Sequence, residues 1–192
     1  MRAIDPTKVK RVTSYAHSLL GIHEVPDGSN SGPAVHELQT STGAFGAPWC
    51  VSTAQSIWMH VFGHTLYDRS ANAYYCGEYA IRHGWAVAHP QPGGHVVYHI
   101  GQGHFGTVVK DYPDGTFDAV EGNEGNAVRL MHRDPKLLYC VFIAPPDLFH
   151  DVVEKHVKSG ITYYTFRRDV PLKHGEMLHF KTGEGYYADK ED

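Results

Sequence analysis

The stretch Pro90-Gln91-Pro92-Gly93-Gly94 divides the chain between two kinds of periodicity. Ahead of it apolar residues recur at helical spacing; beyond it come short runs of β-branched and aromatic residues separated by glycine turns, as strands require. Helices first and a meander second is an α+β pattern, not the alternation of a doubly wound sheet. Asp5 and Pro6 open a helix with apolar stripe Val9, Val12, Ala16, Leu19 and Leu20, closed by Gly21. The segment from Gly21 to Pro33 is dense in turn formers and reads as a loop. A short helix from about Pro33 to Gln39 turns Val35 and Leu38 inward. The next begins at Cys50, repeats Val51, Ala54, Ile57, Trp58, Val61 and Phe62 at helical spacing, and stops at Gly63. Ser70 is expected to cap a fourth helix through about His83, with Gly84 as its end.

Beyond the break, His95 to Ile100, His104 to Val109 and Thr116 to Glu121 read as strands. Short turns at Gly101-Gln102-Gly103 and Asp111 to Gly115 join them, so they must be antiparallel neighbours. Val128 to His132 and Leu137 to Ile143 continue the pattern, with Cys140 in the core. Ala144-Pro145-Pro146 marks a boundary: residues 1–146 form one domain and residues 147–192 a C-terminal extension. The extension carries strand-like runs at Ile161 to Phe166 and Met177 to Phe180 and an acidic, glycine-rich end from Gly183 to Asp192.

Bulk properties narrow the partners. Lys and Arg total 17 against 21 for Asp and Glu, a formal charge of −4 that gives no basis for nucleic-acid binding. No apolar run approaches the roughly 20 residues needed to span a bilayer, and Met1 to Lys8 has no apolar core followed by a small-residue cleavage site, so neither a membrane segment nor a signal peptide is expected. Cys50, Cys76 and Cys140 are odd in number and form no C-x-x-C motif, which argues against a disulfide framework or a zinc knuckle. His95 and His99 fall on one strand face with His104 nearby, but no carboxylate or cysteine joins them at ligand spacing, and no metal or other cofactor is expected.

Chemistry concentrates on Cys50. The free N–H groups and positive dipole end of a helix N-terminus favour a thiolate, and the thiolate is the form that attacks carbonyls. Taken alone, Cys50 is equally a small buried hydrophobe. A nucleophile needs a base, and the base needs an orienting group. His104 opens a strand, and Glu121 and Asn123 end the next one, so antiparallel pairing makes the histidine and that corner neighbours. Trp49 either lines a substrate groove or anchors the loop ahead of Cys50 in the core. Cys76, inside a helix, is expected to pack.

The order cysteine on a helix, then histidine and a polar orienter on a following antiparallel sheet, resembles the papain-like arrangement. More narrowly, Gly46-Ala47-Pro48-Trp49-Cys50, Gly103-His104-Phe105-Gly106-Thr107-Val108-Val109 and Val120-Glu121-Gly122-Asn123 resemble the CHAP domain, the cysteine- and histidine-dependent amidohydrolase/peptidase of bacterial and phage cell-wall hydrolases. The stretch Gly21 to Asn30, with Gly32-Pro33, is similar to the N-terminal part of phage lysins of this kind, and the resemblance covers roughly residues 5 to 144. It implies a papain-like α+β fold with Cys50 as nucleophile, His104 as base and later acid, Glu121 as orienter of His104, and Asn123 as a second orienter or a donor to substrate. The Cys50 N–H and one further donor would form the oxyanion hole. Some family members bind calcium through aspartates just ahead of the cysteine; residues 39–49 hold no carboxylate, so no such site is expected.

The implied substrate is bacterial peptidoglycan, cleaved either between muramic acid and alanine (amidase) or within the peptides (endopeptidase). A phage endolysin would remain in the host cytoplasm until released to the wall, or travel on the virion. A virion-associated penetration component and a catalytically inactive wall-binding module are the rival readings. In the extension, Tyr163, Tyr164, Phe166, Tyr186 and Tyr187 would form a glycan-stacking surface, strands extending the main sheet, or an oligomer contact.

Overall fold

The computed structural model describes residues 4–150, 152–158, 161–166, 176–181 and 184–190. By density of contact the chain divides into two units, one running Lys8–Leu148 and the other combining Met1–Thr7 with Phe149–Asp192. The boundary expected after Pro146 falls inside the 3-10 turn Pro146–Leu148 that closes the larger unit, and the N-terminal residues group with the C-terminal extension.

Among the described residues the helices are α1 (Pro6–Ser18), α2 (Pro33–Gln39), α3 (Cys50–Phe62) and α4 (Ala73–Arg82). Asp5 caps α1 through a bond from the Thr7 N–H to its Oδ1 (2.9 Å). Gly63, at φ 81°, ends α3 in the left-handed conformation that glycine adopts without a Cβ penalty. The cap of α4 differs from expectation: Asn72 accepts the Tyr75 N–H (2.9 Å), and Ser70 instead ends the 3-10 turn Tyr67–Arg69. Both residue types cap well, and the intervening turn decides between them.

The strands of the larger unit are β1 (Ala86–Val87), β2 (His95–Tyr98), β3 (His104–Asp111), β4 (Phe117–Glu124), β5 (Ala127–Arg133) and β6 (Cys140–Ile143). They form one antiparallel sheet in the order β1-β6-β2-β3-β4-β5, so helices and an antiparallel sheet make a mixed α+β unit. The expected strand from Leu137 begins only at Cys140; Leu137 and Tyr139 are exposed and belong to the approach. β4 carries an irregularity between Glu121 and Glu124, where Glu121 faces Arg129 and Glu124 faces Ala127, so β4 holds one extra residue.

Helix α3 is the core element. Val51, Ala54, Ile57, Trp58 and Val61 are buried, and so are Ser52, Thr53 and Gln55. These polar groups are satisfied: Thr53 Oγ1 donates to the Trp49 carbonyl (3.0 Å), and the Gln55 amide pairs with both the N–H and the carbonyl of Leu66 (2.7 and 2.6 Å). Buried polar side chains with partners let a helix sit deep without an all-apolar surface.

In the smaller unit β7 (Val152–Lys158), β8 (Ile161–Phe166), β9 (Glu176–Lys181) and β10 (Glu184–Lys190) form their own antiparallel sheet, in the order β10-β9-β8-β7. The expected runs at Ile161 and Met177 are strands, but they do not extend the main sheet. The stacking surface expected of Tyr163, Tyr164, Phe166, Tyr186 and Tyr187 concerns side chains outside the described part, as do Gly183, Glu191 and Asp192 of the acidic end. No helix among the described residues is long and apolar enough to cross a membrane.

Candidate active site

The loop ahead of α3 is fixed from within. Gln39, fully buried, donates through Nε2 to the carbonyls of Ala47 (2.9 Å) and Asn30 (3.0 Å). Its two amide hydrogens are thereby engaged, so Gln39 is not the further oxyanion donor. Trp49 is fully buried, and its indole N–H donates to Glu24 Oε1 (2.9 Å), whose other oxygen accepts the Asn30 N–H (2.9 Å). Trp49 therefore anchors the loop and offers no surface to a substrate, a correction to its reading as a groove residue. Anchored on this side, the chain enters α3 at Cys50, which is 6% exposed. The N–H groups of the first helical turn have no acceptor within the helix, so this is where a developing oxyanion would find donors.

His104 opens β3 opposite Tyr98 of β2, and the two rings stack at 5.8 Å. Its Nε2 lies 2.9 Å from Glu121 Oε2. Cys50 lies close enough to act on the ring's proton affinity. With Nε2 held by the carboxylate, Nδ1 is the nitrogen left for the sulfur. Burial pulls the His104 pKa down, but the hydrogen bonds and charges of Cys50 and Glu121 outweigh it and raise the group to about 10.

Glu121 is fully buried and satisfied on both oxygens. Oε1 accepts Tyr98 Oη (2.7 Å) and Arg133 Nε (3.0 Å); Oε2 accepts Arg133 Nη2 as well as His104. Burial alone would raise its pKa, yet bonds from His104, Arg133 and Tyr98 lower it, so the carboxylate stays ionised. The Arg133 guanidinium also lies over the Tyr98 ring, 5.4 Å from its centroid.

Two glycines make this geometry sterically possible. A Cβ at Gly106, the register partner of Glu121, would stand 2.9 Å from Glu121 Cγ. At Gly122 it would stand 2.0 Å from Thr53 Oγ1 and 3.1 Å from Trp49 Cε3, so only glycine lets β4 approach α3 here. Asn123, at φ 58°, donates through Nδ2 to Asn30 Oδ1 (3.2 Å). Its expected role as second orienter of His104 is not what the structure shows; its side chain ties the β4 corner to the loop carrying Asn30.

The expected members Cys50, His104 and Glu121 thus meet, while Trp49 and Asn123 brace the surrounding loops. Sequence reading missed Tyr98, Glu124, Arg133, Glu24 and Gln39. Arg133 left no register signal: it faces Phe117 across the β4–β5 pair, while Glu121 faces Arg129. The two meet because residues an even number apart on one strand share a face. The histidines considered as a zinc set do not converge: β2 ends at Tyr98, His99 lies tilted against Tyr139 beyond it (ring centroids 4.5 Å apart), and the buried His95 bonds through Nδ1 to Tyr67 Oη (2.6 Å).

His104, Glu121 and Glu124 offer atoms within 4.8 Å of one another, as a cation site would. The guanidinium of Arg133 already lies on both carboxylates, so a metal would have to displace a partly buried, paired cation, and the group does not fit one. Comparison with family models, with curated proteins and with solved structures gives no match for this chain.

Proposed function

We propose that the Lys8–Leu148 unit is a papain-like, CHAP-type cysteine hydrolase that cleaves amide bonds in the peptide part of bacterial peptidoglycan, as an amidase or an endopeptidase. One observation carries the reading: His104 is bonded to the ionised, fully buried Glu121 and lies close enough to Cys50, at a helix N-terminus, for the two to act on each other. A histidine held this way keeps its proton at neutral pH, and the form of Cys50 that attacks beside it is the thiolate.

In the first step the Cys50 sulfur forms a bond to the amide carbon while the carbonyl π pair moves onto oxygen. N–H groups of the first turn of α3 receive that charge. The C–N bond then breaks as Nδ1 of His104 gives its proton to the departing amine, leaving a thioester and a neutral imidazole. Water attacks the thioester carbon as Nδ1 takes a proton from it; loss of the sulfur releases the acid and restores the pair. Throughout, Glu121 holds Nε2–H and so keeps Nδ1 as the reacting nitrogen.

The substrate class is supported by the three motifs that resemble wall hydrolases, the bond class by the nucleophile. Turbidity loss on purified cell walls, with mass spectrometry of the released fragments, tests both. Wild type should clear walls and release fragments with new amino groups, and Cys50→Ala and His104→Ala should not. Clearance by both variants at the wild-type rate would rule out the thiol mechanism.

A further inference from the structure

The extra residue in β4 has a chemical consequence for His104. In a regular strand, residues three apart point to opposite faces, so Glu124 would turn away from Glu121. Because Glu121 faces Arg129 and Glu124 faces Ala127, two residues apart on β5, the extra residue brings both carboxylates to one face. Two acids then compete for one imidazole nitrogen: Nε2 of His104 lies 2.9 Å from Glu121 Oε2 and 3.4 Å from Glu124 Oε2. Arg133 reaches both, clamping Glu121 through Nε and Nη2 and holding Glu124 Oε2 at 3.2 Å from Nη2.

We propose that Arg133 is a positioning residue that decides which carboxylate holds His104: it fixes Glu121 on the ring and keeps Glu124 off it. The two acids differ in the way this requires. Glu121 is fully buried with both oxygens bonded, whereas the Glu124 side chain is 32% exposed and freer to move. The groups facing the ring are Cys50 from α3, Tyr98 from β2, and Glu121 and Glu124 from β4, with Arg133 of β5 bonded to both carboxylates. The two carboxylates face two cations, the Arg133 guanidinium and the imidazolium. Without it, Glu124 gains the ring, and His104 is drawn from the sulfur of Cys50. The inference rests on the Cys50–His104 pair of the proposed function, but not on its substrate.

Alkylation of Cys50 by iodoacetamide across a pH series, with peptide mapping to separate it from Cys76 and Cys140, reads the pair without any wall substrate. Arg133→Met is expected to slow alkylation at neutral pH roughly tenfold, the scale of losing hydrogen bonds between charged groups. It should also change the pH dependence of the rate. Adding Glu124→Gln removes the competitor and should restore most of the rate and the profile. A double variant as slow as Arg133→Met alone would overturn the proposal, because a purely structural arginine gains nothing from loss of Glu124. If circular dichroism shows Arg133→Met unfolded, Arg133→Lys carries the same comparison, since it keeps the charge and loses the two-pronged clamp. Restored alkylation in a protein that leaves walls intact would refute the wall-hydrolase reading alone; wall clearance without restoration would refute this inference alone.

Discussion

His95 and His104 sit at opposite ends of one strand pair and are driven in opposite directions. His95 lies opposite Thr107 at the start of β2, is fully buried against Trp58, Tyr67 and Phe105, and faces no charge; its Nε2 has no partner among the described residues. Burial lowers it to about 3. His104 lies opposite Tyr98 at the start of β3, is also largely buried, and is raised to about 10 by Cys50 and Glu121. Burial pushes both toward the neutral form, so the difference comes from partners: a thiol and a carboxylate at one, a phenol and apolar rings at the other. One fold thus holds a neutral structural histidine and a charged one suited to chemistry.

The largest effect that would break this contrast comes from Glu121→Gln. Removing the carboxylate leaves Arg133 and the imidazolium without their shared anion, and breaking a buried pair of this kind costs about 3–5 kcal/mol. Thermal or denaturant unfolding should show that loss, and wall clearance should fall with it. Unchanged stability would mean that the carboxylate is not the anchor of His104.

The pH dependence of stability sharpens the contrast next, because the two histidines impose opposite slopes. His104 is raised when folded, so its contribution is full below about 6.5, the usual histidine value, and is lost as pH rises through about 10. His95 is depressed when folded; between about 6.5 and 3 the unfolded chain takes up a proton that the folded chain refuses, so stability falls as pH falls. Each slope is about 1.4 kcal/mol per pH unit, and Glu121, with its lowered pKa, adds to the acid loss below the usual carboxylate range. Denaturant melts across pH should show His95→Phe flattening the acid side alone and Glu121→Gln flattening the alkaline side.

A smaller effect is expected at Trp49. Trp49→Phe leaves a small void in the core and Glu24 Oε1 without its donor, for a loss of about 1–3 kcal/mol in denaturant unfolding. Smaller again is Asn72→Ala, which removes the cap of α4 at about 1 kcal/mol by the same measurement and should leave wall clearance unchanged.

The parts of this site legible in the sequence were those set by local rules. Pro48 and the apolar repeat located the start of α3, and the Gly101-Gln102-Gly103 turn located His104. Antiparallel pairing then made Glu121 its neighbour. Contacts that cross the register were not legible: Arg133 reaches Glu121 from a position opposite Phe117, and Trp49 meets Glu24 across 25 residues. Asn123 was expected as a second orienter of His104 or a donor to substrate; its positive φ and the extra residue in β4 accompany a bond to Asn30 that no local rule announces. The cap of α4 was misplaced because a 3-10 turn, which has almost no sequence signature, precedes the helix.

The central claim is that His104 carries its proton through neutral pH, held there by Glu121. A titration of the histidine ring nitrogens by NMR tests it most directly. The account expects the His104 ring to stay protonated through neutral pH and to release its proton near pH 10, with a fall toward the ordinary histidine value in Glu121→Gln. A His104 ring that titrates near 6.5 in the wild-type protein, like a solvent-exposed histidine, would contradict it.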